Sequence, residues 1–153
     1  MKLLLFLHIA GSFLFLGNII TAAFWKVRAD IKKDPFQIHQ ACKNVMLADY
    51  VFTLPGLLLI LVSGISMALN SGYDMRGFSW FTASLALFAL TGILWLGVLI
   101  PLQKGLIKLS AEAVSKGSMP SGYRKLSLYW AVFGTLATVL PVIILYFMVG
   151  KPF

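Results

Sequence analysis

Three side chains stand where polar groups are expensive: His8, Asn18 and Asp49 each fall inside a long apolar run. An ionisable or strongly polar side chain within a membrane span costs roughly 2.5–3.5 kcal/mol on insertion scales, so its presence needs a reason. His8 lies about one and a half helical turns into the first run. A neutral imidazole there could ligate haem iron, relay a proton or bond a ligand carbonyl. It could equally be hydrogen-bonded to a neighbouring helix or to water. Gly11, one turn along the same face, would leave room beside it for a flat ring.

Asn18 and Asp49 form the second candidate. A tight hairpin turn at Asp34 puts Asn18 sixteen residues before the turn and Asp49 fifteen after it. At 1.5 Å per residue both sit roughly 22–24 Å from the turn, hence at one depth. Asn18 can then donate to the Asp49 carboxylate, with Lys26 or Arg28 reaching back toward it. One reading is a polar clasp between two helices, worth about 0.6 kcal/mol in membrane proteins. The other is a site that handles protons or a ligand, with His8, Asn18, Arg28 and Asp49 as its binding residues.

Other polar residues carry less. His39 and Cys42 share a helical face, but a metal would need two further ligands and the sequence offers none nearby. Cys42 is the single cysteine, so no intrachain disulfide forms. Pro55, Pro101 and Pro141 interrupt apolar runs and free the carbonyls of Val51, Gly97 and Ala137. Thr53, Thr91, Thr135 and Thr138 are placed to satisfy them.

These residues need a scaffold, and composition says which. Of 153 residues 59% are hydrophobic and 12% charged, with mean hydropathy +0.89. Soluble domains carry about 25% charged residues. Four apolar runs, Leu3–Trp25, Val45–Leu69, Phe78–Leu102 and Leu126–Val149, each supply the ~20 residues that cross ~30 Å of hydrocarbon as a helix. The first exceeds the ~7–15 residues of a signal-peptide core and reads as a span. The expectation is an all-α, polytopic four-helix bundle of two helical hairpins in a single domain, residues 1–153.

The net charge of +8 is unevenly placed. Lys26, Arg28, Lys32, Lys33 and Lys43 follow the first run, and Lys104, Lys108, Lys116, Arg124 and Lys125 follow the third. Those ten of the 13 basic residues put the tips 26–44 and 103–125 on the cytoplasmic side and both termini outside. The same clusters suit anionic lipid, and no nucleic-acid partner is expected. Interface aromatics fit: Trp25, Tyr50, Tyr123, Tyr129 and Trp130 inside, Tyr73, Trp80 and Tyr146 outside. Asp34 and Pro35 predict a helix start, and Gly117 a helix end.

The two hairpins resemble each other. Leu54-Pro55-Gly56 through Gly64 pairs with Leu140-Pro141-Val142 through Gly150, and Leu16-Gly17-Asn18 with Leu96-Gly97-Val98. A parallel repeat about an axis along the membrane normal would follow. His8, Asn18 and Asp49 then align with Phe88, Val98 and Thr135, so the costly polar residues all belong to the first hairpin.

Leu7-His8-Ile9 through Gly17-Asn18, Ala23-Phe24-Trp25-Lys26-Val27-Arg28, and Asp49-Tyr50 through Leu54-Pro55-Gly56 resemble an uncharacterised family of bacterial predicted integral membrane proteins. The resemblance covers about 65 residues and implies a bacterial inner-membrane location. A more distant likeness is to J-type protoporphyrinogen oxidases and D-type copper-resistance membrane proteins, with His8, Gly17 and Arg28 as the corresponding positions. It implies haem or porphyrin. The third run lacks the basic residue that the oxidases carry there.

The leading functional expectation is a haem-like or quinone-like ligand held by the first hairpin, with His8 as its leading contact and iron ligand. Two-histidine ligation would need a homodimer joining two His8, or Met67 as a second ligand. The alternatives are a structural or partner-binding subunit, a small proton-coupled transporter and an oxidase-like enzyme.

Overall fold

The chain makes its first turn where charge and proline coincide. Helix α1, Lys2–Lys32, ends at Lys33 in the left-handed region (φ 57°). Asp34 then caps α2, Pro35–Ala48: its Oδ1 accepts from the Phe36 N–H at 3.0 Å, with Pro35 in the first turn. At the tip of the other hairpin α5, Ile100–Lys116, stops at Gly117 with φ 75°. Glycine takes that conformation without steric cost. Helix α6 runs Ser121–Gly150.

The computed structural model describes all 153 residues, Met1–Phe153. Four continuous helical rods are long and apolar enough to cross a membrane: Lys2–Lys32, Pro35–Asn70, Trp80–Lys116 and Ser121–Gly150, spans 1 to 4. The basic tips are helical extensions of these rods. We call the end that carries the tips the tip end and the other the terminal end.

Spans 2 and 3 change helical register midway. After α2, residues Asp49–Thr53 form a π turn that leads into α3, Leu54–Asn70. After α4, Trp80–Leu94, residues Trp95–Leu99 do the same before α5. In each case the N–H just before the proline bonds five residues back, Leu54 to Asp49 and Ile100 to Trp95. Pro55 and Pro101 supply no N–H, so the ladder is interrupted there anyway and tolerates the wider turn. The threonines behave otherwise than expected. Thr91, Thr135 and Thr138 each bond the carbonyl four residues back, and Thr53 bonds Asp49, so none meets the proline-freed carbonyls. A helical threonine hydroxyl reaches its own preceding turn most readily. The structural likeness therefore joins spans 2 and 3, which run in opposite directions, and Pro141 lies in regular α-helix within α6.

Packing fixes the rest. Helix α1 lies on α2 and α3, α2 on α5, and α5 on α6, with a lighter contact of α6 on α1. Spans 1 and 2 cross closely at Gly11 and Gly56. A Cβ on Gly56 would stand 2.9 Å from the Gly11 carbonyl oxygen and from the Phe15 nitrogen. Toward the terminal end the hairpins part: α3 packs on α1 and α4 on α6, while α3 and α4 do not meet. The core gathers Phe15, Val45, Leu57, Trp95, Leu106 and Trp130 from all four spans. Phe13, Phe24, Leu58, Ile93, Val132 and Val149 are exposed, as suits side chains that face acyl chains.

Candidate functional site

The π turn that opens at Asp49 aims its carboxylate into the bundle, where it is 4% exposed. Four neutral donors surround it. Asn18 Nδ2 and Thr53 Oγ1 donate to Oδ1 at 3.1 and 2.9 Å. Trp95 Nε1 and Gln103 Nε2 donate to Oδ2 at 3.2 and 2.7 Å. Asn18 also donates to Thr53 Oγ1 at 2.9 Å. Every neighbour gives a proton and none takes one, the environment of an acceptor-only carboxylate. The donors come from spans 1, 2 and 3, so one side chain ties three rods together.

Beside this carboxylate lies a cavity of about 320 Å³ between the hairpins. Its walls are mostly apolar, with Phe15, Ile19 and Ala23 from span 1 and Ala131, Gly134 and Ala137 from span 4. Asp49, Trp95 and Gln103 form its polar end. Its rim includes Ile20, Val27 and Val139, all exposed, so the cavity opens sideways between spans 1 and 4. That opening lies where those two rods touch only lightly.

The remaining predicted residues lie elsewhere. His8 sits in the contact of α1 with α3, its Nδ1 3.1 Å from both the Ile60 carbonyl and Ser63 Oγ. Its Cε1 is 3.1 Å from where a Cβ on Gly64 would stand, so glycine there gives the ring room. Arg28 is exposed on the tip end and reaches no part of the site. Lys26 turns away from Asp49 to the Asp30 carboxylate at 2.5 Å, the protein's one ion pair. Asp30, four residues on, is its helical neighbour, whereas Asp49 already has four donors.

A family model described as "Predicted integral membrane protein (DUF2269)" matches residues 2–152. The chain belongs to that family. The match runs through both hairpins, well beyond the stretches of the first that resembled it. The family description gives a membrane protein and no activity. No curated protein and no solved structure matches the chain.

For this DUF2269 member, then, the site must be read from its own geometry. Sequence reasoning paired Asn18 with Asp49 correctly, and the distance bears out the depth arithmetic. It missed Trp95 and Gln103, and with them the second hairpin's share. Gln103 lies one residue past the apolar run ending at Leu102, so it read as tip; Trp95 read as one more apolar residue. The cavity is likewise between the hairpins, not within the first. His8 does not line it. The histidine expected as the leading ligand contact therefore lies apart from this cavity.

A second polar cluster is buried near the tip end. Besides Asp30, Lys26 Nζ donates to Ser127 Oγ and lies 4.9 Å from the Trp130 ring centre and 5.4 Å from that of Tyr123. Tyr123 OH donates to Asp30 Oδ1 at 2.6 Å, and Ser127 to Asp30 Oδ2 at 3.0 Å. Tyr123 and Trp130, expected as interface aromatics, are buried walls around this lysine, which is itself 2% exposed. A buried ammonium needs both a counter-charge and aromatic faces.

Proposed function

We propose that this protein binds a lipid-soluble ligand of quinone-like class, with a compact polar head and an apolar body, in the cavity between its hairpins. The observation that carries this reading is the cavity's polarity: about 320 Å³ of mostly apolar wall ending at Asp49, Trp95 and Gln103. Small-molecule sites are of this size and pattern, with a few fixed polar groups in a greasy cleft. The sideways opening suits a ligand that arrives from the bilayer. The head would meet the Asp49 network, and the body would lie between spans 1 and 4. A bacterial inner membrane is the location that the family resemblance suggests, and the distribution of Lys and Arg supports both termini outward with the basic tips against anionic lipid.

Trp95 and Trp130 line the cavity, so ligand binding can be read by quenching of tryptophan fluorescence in detergent-purified protein. A short-chain quinone should quench saturably. Gly134→Leu, which extends a side chain into the cavity from a position where the nearest side-chain atom is 4.0 Å from a Cβ, should weaken it at least tenfold. Quenching that is non-saturable and equal in both proteins would defeat the reading.

The same network supports a structural role, because Asp49 gathers donors from three spans. The Gly134→Leu comparison separates the two roles, since it leaves that network's partners in place.

A further inference from the structure

Every hydrogen bond between the two hairpins joins residues 26–49 of the first to residues 95–127 of the second. Asp49 receives Trp95 and Gln103, Asp30 receives Tyr123 and Ser127, and His39 meets Ser110. Helix packing follows the same division. Helix α2 lies on α5, whereas α3 touches neither α4 nor α6, and α1 does not touch α4. Each hairpin is nevertheless tied within itself in its terminal half. In the first, Gly11 crosses Gly56, and His8 reaches Ile60 and Ser63. In the second, α4 packs on α6 and the Trp80 N–H donates to the Phe153 carbonyl at 3.3 Å. The rings of Phe78 and Phe153 stack 5.0 Å apart beside that bond.

In water, apolar faces left apart in this way would be driven together. In a bilayer the acyl chains are as apolar as the helices, so association needs close packing or interhelical hydrogen bonds. The terminal halves of the hairpins share no hydrogen bond, and their helices meet only in the light contact of α1 with α6. Spans 2 and 3 also break where the joined region ends. The π turns Asp49–Thr53 and Trp95–Leu99 stand there, each followed by a proline, and interruptions of this kind are where helices bend. At the terminal end the hairpins are connected by the linker 71–79, whose reach is on the order of 30 Å when extended.

We propose that the two hairpins move as a pair of tongs: joined through their tip halves, they separate and close at their terminal halves, hinged at the two π turns. Separation widens the side opening of the cavity between spans 1 and 4. The motion does not depend on what the cavity holds.

Distances between paired spin labels, measured by pulsed electron paramagnetic resonance on the full chain in lipid nanodiscs, test this. Labels go on cysteines introduced at exposed positions, where Cys42, being buried, does not compete. Val62→Cys with Leu145→Cys reports between the hairpins in their terminal halves. Phe6→Cys with Val62→Cys reports within the first hairpin, and Ile31→Cys with Val114→Cys between the hairpins at the tip end. All five positions are exposed, so labelling them leaves the packing intact. The Val62–Leu145 distribution should be about twice as wide as either of the others, because freezing traps a hinge motion as a spread of positions. Equal widths for all three pairs would mean that the hairpins are joined throughout. A Phe6–Val62 distribution as wide as the Val62–Leu145 one would put the motion inside a hairpin, and an equally wide Ile31–Val114 distribution would remove the pivot. Each of these outcomes overturns the proposal.

Discussion

The Trp95 indole N–H donates to Asp49 Oδ2 at 3.2 Å, and each of these two residues opens a π turn that ends two residues before a proline. The pairing explains why two costly departures from α-helix coincide. A π turn adds a residue to the turn and so re-aims the side chains around it. Here one such turn presents the acceptor and the other presents its donor, across the contact between spans 2 and 3. Prolines six residues after each make the interruption cheaper, because the ladder already lacks a donor there.

Asp49→Asn should destabilise the protein although it removes a charge. The amide keeps one acceptor oxygen and turns an NH2 toward two of the four donors that now converge on the carboxylate. Stranded buried donors cost about 1–3 kcal/mol in all, toward the low end where membrane hydrogen bonds are weak. Thermal unfolding in detergent should show a clear fall in Tm; an unchanged Tm would mean that the network contributes nothing to the fold.

The crossing of spans 1 and 2 makes a second, independent prediction. Gly56→Ala puts a methyl 2.9 Å from the Gly11 carbonyl oxygen and from the Phe15 nitrogen, both backbone atoms that cannot step aside singly. The rods must separate, and overpacking of this kind costs about 1–3 kcal/mol. Gly17→Ala, where nothing lies within 4 Å of a new Cβ, is the control and should leave Tm unchanged. Equal stability of the two variants would contradict the close crossing.

Much of this architecture was legible because lipid allows so few alternatives. Apolar run length gave the four rods, and Asp34, Pro35 and Gly117 marked the turns through their backbone chemistry. Asn18 and Asp49 were paired by depth alone, since a straight helix converts residue count into height. What stayed hidden depended on rotation. The π turns at Asp49 and Trp95 shift which face each following residue presents, and no periodicity of apolar residues records that when nearly every residue is apolar. Gln103 was hidden by the span boundary, and Lys26 by the assumption that a lysine after a span lies at the interface.

His8→Ala should separate the histidine from the ligand. The ring's bonds are to the Ile60 carbonyl and Ser63, within the contact of α1 and α3, and it does not line the cavity. Losing them should lower stability by about 1 kcal/mol while quinone quenching stays within twofold of wild type. Oxidised and reduced absorption spectra of both proteins extend the test. A visible band present in the wild type and absent in His8→Ala would overturn the separation and make His8 an iron ligand.

Orientation rests on exposed charge and can be tested by removing it. Arg28, Lys32, Lys33 and Lys43 are all exposed, so changing the four to Gln leaves the buried Lys26–Asp30 pair and the core intact. Positive charge near span ends sets which side stays cytoplasmic, largely by the bias around the first spans. With the first tip neutralised, the insertion bias falls to Lys104, Lys108, Lys116, Arg124 and Lys125 on the second. A reporter fused after Phe153 should therefore read outside in the wild type and still mainly outside in the fourfold variant, because Lys26 and the five basic residues of the second tip outnumber Lys2, Arg76 and Lys151. The preference should be lost only when the five of the second tip are changed to Gln as well. A wild-type reporter on the cytoplasmic side would invert the assignment and put the Asp49 cavity in the opposite relation to the two compartments.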